Sequence, residues 1–192
     1  MKKKFYLALL RGINVGGNNI IKMVELKACF ETMGFTDVTT YIQSGNVIFG
    51  ASKKNEIENE IAVELTIEQA LSKQFKYKSC VVVIADDTLE QIVKQAPQDF
   101  GKYPAEYRYD VIFVKNPLTA KQLLSVMETK EGVDTVSAGQ HALYFSRLII
   151  KATQSRLSKI IQKPEYKYLT IRNWNTTTKL LALMEKVQEV QE

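Results

Sequence analysis

Arg11 and the glycines that follow it, Gly12, Gly16 and Gly17, are the residues whose types and spacing best suit ligand chemistry. Glycines between a strand and a helix let backbone amides approach an anion, and the helix dipole favours negative charge there. Arg11 can hold a phosphate or carboxylate with two parallel hydrogen bonds. Two phosphate fingerprints nearly fit. Gly12 and Gly17 have the spacing of a phosphate-binding P-loop, but Asn18 and Asn19 stand where a Lys-Ser/Thr pair would reach phosphate and magnesium. A dinucleotide fingerprint fails at Asn14, which occupies the second glycine position. The same residues also suit a plain turn that sets a helix entry, with Arg11 in an internal ion pair.

Nucleophilic chemistry has little support. Ser44 precedes Gly45 in a hairpin signal, and turn chemistry explains the pair. The single histidine, His141, is the one available imidazole base, and nothing places it near Ser44, Cys29 or Cys80. One histidine and two distant cysteines do not make a zinc site, and no carboxylate spacing resembles a calcium loop. Asp86-Asp87 reads as a helix start. No catalytic residue, metal or cofactor is assigned. Base stacking in the manner of an RNA-recognition sheet is also disfavoured, because Asn46-Val47-Ile48-Phe49 lacks the basic-glycine-aromatic pattern.

Near the other end, Arg172-Asn173-Trp174-Asn175-Thr176 combines helix-capping residues with the only tryptophan. Asn173, Asn175 or Thr176 suits a cap, and Trp174 a core anchor. Arg172 and Asn173 could instead join the glycine loop in one polar pocket. Charge is uneven along the chain: Arg147 to Lys179 holds eight basic residues against Glu165 alone, and Glu56 to Glu68 holds five glutamates with no basic residue. A basic face attracts polyanions, although such runs are more often solvated faces.

Elements that must position these residues can be read from periodicity. The chain has 192 residues, 45% hydrophobic and 24% charged, with net charge +5, which is ordinary for globular protein. No apolar run has the length of a membrane span, and no secretory signal is legible. The two cysteines read as reduced core residues, so a cytoplasmic location is expected, without membrane attachment. Strands are expected at Phe5–Leu10, Thr36–Ile42, Asn46–Phe49 and Ser79–Ile84. Helices are expected from Lys22, from a cap at Ser52 or Asn55 with Ile57, Ile61 and Leu65 on one face, and from Asp86. Pro97–Pro104 suits a linker. The order then returns: strands at Tyr107–Val114, Val133–Ala138, His141–Phe145 and Tyr166–Ile171, and helices from Thr119 (with Gln122 as a capping box), Ser155 and Thr176.

This repetition predicts an α+β fold of two tandem ferredoxin-like βαββαβ halves, 1–98 and 105–192, each followed by an extra helix. Right-handed crossovers would place the Arg11–Asn19 loop beside the Gln43–Asn46 hairpin. Phe5–Leu10 and Cys80–Ile84 are apolar on both faces, so both faces should be covered.

The stretch Ala8-Leu9-Leu10-Arg11-Gly12-Ile13-Asn14-Val15-Gly16-Gly17, followed by Lys22-Met23 and Glu25-Leu26, taken with Tyr41-Ile42-Gln43-Ser44-Gly45-Asn46-Val47 and Arg172-Asn173-Trp174-Asn175-Thr176, resembles the bacterial family known as domain of unknown function 1697. The resemblance spans nearly the whole chain and implies two ferredoxin-like halves and no established activity. Thr170-Ile171-Arg172 departs mildly from the Thr-Ala-Arg the resemblance implies. The expected ligand set is Arg11, Asn14, Gly16, Gly17, Gln43, Ser44, Asn46, Arg172 and Asn173. The expected ligand is a nucleotide or nucleic-acid phosphate. A metal-independent small-molecule enzyme in the same cleft, or a dimerisation module such as a homodimer, are the alternatives.

Overall fold

A computed structural model describes residues 4–17, 19–51, 60–76, 78 and 80–189. Ser52, Asn55, Ile57 and Ser79 lie outside these residues, as does Asn18. The elements run β1 (Phe5–Arg11), α1 (Met23–Thr32), β2 (Thr36–Tyr41), β3 (Asn46–Gly50), α2 (Glu60–Phe75), β4 (Cys80–Ala85), α3 (Asp86–Lys94), β5 (Tyr107–Val114), α4 (Ala120–Val126), β6 (Asp134–Ala138), β7 (Ala142–Leu148), β8 (Leu169–Asn173) and α5 (Trp174–Glu189). The strands form two four-stranded sheets, ordered β2-β3-β1-β4 and β6-β7-β5-β8, with all neighbours antiparallel. Each sheet carries helices, and the two halves are built alike. Two compact units result: Met1–Leu89 with Leu180–Glu192, and Glu90–Lys179.

In the first unit, Leu26, Cys29 and Phe30 of α1 and Ile67 and Leu71 of α2 cluster with Tyr6, Ala8, Leu10, Phe49, Val81 and Val83. Each aliphatic side chain fully buried in this way contributes about 1.5–3 kcal/mol. On the opposite face Phe5, Leu7, Leu9, Ile48, Val82 and Ile84 are buried as well, as strands apolar on both faces require. The edge strand β4 is closed by α2 rather than by another strand. Glu64 Oε1 accepts from the Val83 amide at 2.9 Å, and Glu68 Oε1 from the Val81 amide at 2.8 Å. Four residues of helix advance about 6 Å and two residues of strand about 6.6 Å, so the two glutamates match alternate amides. Part of the acidic run is thereby a structural device that blunts a sheet edge.

In the second unit, α4 begins with the capping box expected from Thr119 and Gln122: the Gln122 amide donates to Thr119 Oγ1 at 3.2 Å, and the Thr119 amide to Gln122 Oε1 at 2.9 Å. Leu123 packs with Ile112, Leu143, Phe145, Leu157, Ile160 and Leu169. The helix expected from Ser155 is instead broken into 3-10 turns at Ile149–Gln154, Leu157–Gln162 and Pro164–Tyr168. Side chains outcompete helical bonding there. Asp134 Oδ2 takes the Arg156 amide at 2.8 Å, Ser155 Oγ takes the Leu157 amide at 3.3 Å, and Ser155 and Lys163 are extended. Apolar residues spaced for a helix meet their core contacts without one.

Candidate functional site

The glycine loop and the β2–β3 hairpin do meet. The Leu10 amide donates to the Gly45 carbonyl at 2.8 Å. Asn14, in the left-handed region at φ 53°, bolts the two together. Its Nδ2 donates to the carbonyls of Gln43 at 2.9 Å and Ile21 at 3.0 Å, while its Oδ1 accepts from the Ile21 amide at 2.8 Å. Asn19 Nδ2 closes the loop onto the Gly12 carbonyl at 2.9 Å. Asn46, fully buried, donates to the Tyr41 carbonyl and to Ser44 Oγ, each at 3.0 Å. The side chains of Asn14, Ser44 and Asn46 therefore hold the loop and the hairpin in place.

Outward from this scaffold, Gly16 and Gly17 have φ of 58° and 78°, and a Cβ on either would meet nothing within 4 Å. Arg11 is half-buried at the end of β1, across from Cys80. Lys76 and Lys78, both exposed, lead into β4 at the same end of the sheet. α1 starts at Lys22 with no side-chain cap.

Arg172 and Asn173 belong to the second unit. Arg172 is 7% exposed and donates to Thr170 Oγ1 and the Ile171 carbonyl, both at 2.9 Å. Burial pulls its guanidinium down to about 10, so it remains charged at neutral pH. Asn173 caps α5, as its residue type predicts: Oδ1 accepts from the Asn175 amide at 3.0 Å, and Nδ2 donates to the Tyr109 carbonyl at 3.0 Å.

The basic stretch from Arg147 to Lys179 is not one solvated face. Arg156 and Lys163 converge on Glu128 at 3.4 and 3.0 Å, and Arg172 is buried. Arg147 stands directly across from Arg108 on neighbouring strands. Like charges in that position repel. Between them sits Asp110, 4% exposed, with Arg147 Nη2 at 3.4 Å and Arg108 Nε at 3.9 Å. Burial raises the Asp110 carboxyl above its ordinary value, against the opposing pull of Arg147 and Arg108. Its Oδ2 and Arg147 Nε are buried without a hydrogen-bond partner. Asp134, across from Arg147 on the other side, gives its Oδ2 to the amides of Lys130 at 3.0 Å and Arg156 at 2.8 Å.

Arg108 and Arg147 line a cavity of about 540 Å³ together with Tyr107, Tyr109, Asn173, Trp174 and Asn175, where α5 begins. The first turn of α5 carries no acidic residue. A second cavity, of about 520 Å³, shares Tyr107 and Tyr109 with it and adds Phe100, Tyr103, Tyr144 and the hydroxyls of Thr135, Ser137 and Ser146. The Phe100 ring lies 4.9 Å from Tyr109, 5.4 Å from Tyr144 and 5.1 Å from Trp174, each edge to face. Tyr144 Oη donates to the Ile92 carbonyl at 2.6 Å, and burial pushes its phenol up to about 12. Arg108, Tyr107 and Tyr109 are absent from the sequence-based ligand set. The alternation Tyr107-Arg108-Tyr109-Asp110 was the available signal, since it puts two rings on one face of β5 and two charges on the other. Among the described residues no group of three or more metal-ligating side chains is present, and no helix is long and apolar enough to cross a membrane.

Sheet order, helices and paired halves define an α+β protein built of two four-stranded antiparallel sheets. The chain belongs to the family described as Protein of unknown function (DUF1697), whose model matches residues 3–144. It is similar in fold to a conserved bacterial protein, SP0830 from Streptococcus pneumoniae, at 23% identity and a TM-score of 0.79, over 95% of this chain and 99% of that one. No curated protein sequence matches. The family carries no assigned function.

Proposed function

We propose that the protein binds an anionic ligand, a phosphate- or carboxylate-bearing small molecule, in the cavity lined by Arg108 and Arg147. The observation that carries this reading is the like-charge pair itself. Two guanidinium groups face each other across β5 and β7 with one buried carboxylate between them. Asp134, across from Arg147, has its Oδ2 engaged by the Lys130 and Arg156 amides; a bound anion would add a charge-assisted contact to the arginines, and the start of α5 adds a favourable dipole. Pyrophosphate titrated into the protein should change the emission of Trp174, the only tryptophan, which lines the cavity. Arg147→Ala should weaken that binding about tenfold or more, as loss of a charge-assisted contact does. Unchanged affinity in both Arg147→Ala and Arg108→Ala would place the anion elsewhere.

The glycine loop supports a second reading, favoured by the open space around Gly16 and Gly17 and by Arg11, Lys76 and Lys78 at one end of the sheet. There the loop amides and Arg11 would receive a nucleic-acid phosphate, with Asn14 and Asn46 as scaffold. Anisotropy of a labelled single-stranded oligonucleotide should then weaken with salt and with Arg11→Ala. Binding unaffected by either change sinks this reading. The shared strand order of the two sheets supports reading each half as ferredoxin-like, with the 3-10 turns standing for one helix. The two buried, unbridged cysteines support a reducing, cytoplasmic setting.

A further inference from the structure

We infer that the aromatic cavity of the second unit is a site of its own, for an uncharged, planar aromatic molecule with a polar edge. Strand register separates it from the arginine pair. Tyr109 stands across from Ser146, Ser146 across from Thr135, and Tyr144 across from Ser137. Side chains alternate along a strand, so these residues share one face of the sheet, while Arg108, Asp110 and Arg147 stand on the other. Apart from phenols, the one ionisable side chain in the lining is Asp99, which is drawn to Lys102 at 2.9 Å. An ionic ligand therefore finds no counter-charge there, and leaving water would cost it dearly. The volume of about 520 Å³ suits a small molecule, and a mostly aromatic lining with few polar groups is what such sites have.

The rings are held before any ligand arrives. Tyr109 and Tyr144 are buried on the two central strands, and Phe100 meets both edge to face. Tyr144 Oη is spent on the Ile92 carbonyl, and Tyr109 Oη accepts from the Tyr103 amide at 3.3 Å. The Phe100 amide donates to the Pro97 carbonyl at 2.8 Å, which closes the turn above the sheet. Tyr103 is 51% exposed, so its ring stands at the mouth and can stack on a ligand. The polar side of the cavity is made of hydroxyls, which both donate and accept. Thr135 Oγ1 and Ser146 Oγ are bonded to each other, and Ser137 lies two residues along β6. So few hydroxyls serve one or two polar groups of a ligand. A sugar, with a hydroxyl on most of its carbons, would bury several without partners. A flat aromatic ring with a single polar group is matched by this lining.

Tyr107 and Tyr109 line both cavities, whereas Tyr103 lines the aromatic one and not the arginine one, so the test is placed at Tyr103. Calorimetry on the full chain would use three probes: naphthol, its saturated counterpart decalol, and naphthoate. Decalol keeps the hydroxyl and the size without a π face, and naphthoate keeps the rings but carries a charge. Naphthol should bind wild type about threefold or more tightly than decalol, and more tightly than naphthoate. Tyr103→Ala should erase the advantage over decalol, and Tyr103→Phe, which keeps the ring, should restore it. Equal affinity for naphthol and decalol overturns the aromatic class, and tighter binding of naphthoate overturns the uncharged one. An advantage that survives Tyr103→Ala, or that Tyr103→Phe fails to restore, overturns stacking at this cavity. Failure of all three probes to bind overturns the site, and none of these outcomes bears on pyrophosphate at Arg108 and Arg147.

Discussion

Gly45 stands at φ 76°, where a Cβ would come within 2.8 Å of both Leu10 Cβ and Ile13 Cδ1. The residue therefore joins two constraints, a left-handed backbone and a close approach of the hairpin to β1. Gly45→Ala should destabilise the protein by about 1–3 kcal/mol, seen as a lower urea midpoint at unchanged slope. Asp110 governs a different response. Its carboxyl is raised by burial, so the folded chain holds that proton more tightly than the unfolded chain does. The stability from this group is fully present below the ordinary carboxylate value of about 3.9 and is lost as pH rises through the raised value. Asp110→Asn lacks the titration. The stability difference should shift toward the variant between about pH 4 and neutrality, and urea unfolding at both ends of that range would detect it. A shift toward wild type would mean that Arg108 and Arg147 dominate over burial.

Elements here are held by side chains that answer backbone groups. Glu64 is 3% exposed and joins α2 to the free edge of β4 through the Val83 amide. Glu64→Ala should cost about 1–3 kcal/mol by leaving that amide without its acceptor. Hydrogen exchange at Val83 should quicken more than exchange at Leu123 in the other unit. The seven-residue α4 depends on its capping box, since so short a helix has little intrinsic stability. Thr119→Ala should cost about 1 kcal/mol, read from thermal unfolding. An effect of that size from a hydroxyl on an exposed residue would separate capping from burial.

At the scale of the whole molecule, α5 begins in the second unit and ends in the first. Trp174 at its start packs on Phe100 and lies so close over Gly101 that a Cβ there would be 2.3 Å from Trp174 Nε1. Leu180 and Met184, further along the helix, are 0% and 1% exposed. Leu180→Ala should cost about 2–5 kcal/mol as a buried truncation. Hydrogen exchange within α5 should quicken with it.

Much of the architecture was legible in the sequence because it rests on local rules. Apolar and β-branched runs and hairpin signals marked the strands to within a few residues, Thr119 with Gln122 marked a capping box, and repeated element order marked two similar halves. The meeting of loop and hairpin followed from that element order together with right-handed crossovers. What failed locally was the helix from Ser155, where the carboxylate of Asp134, distant in sequence, claims an amide and helical bonding is broken. The arginine pair was illegible for the same reason. Arg108 and Arg147 become a site only through strand register, and register is set by long-range pairing that no single segment contains. By itself, then, the sequence determined most of the elements and their order, because those depend on neighbours along the chain. Tertiary structure alone decided which charges face each other, which glutamates close a sheet edge and which rings share a cavity.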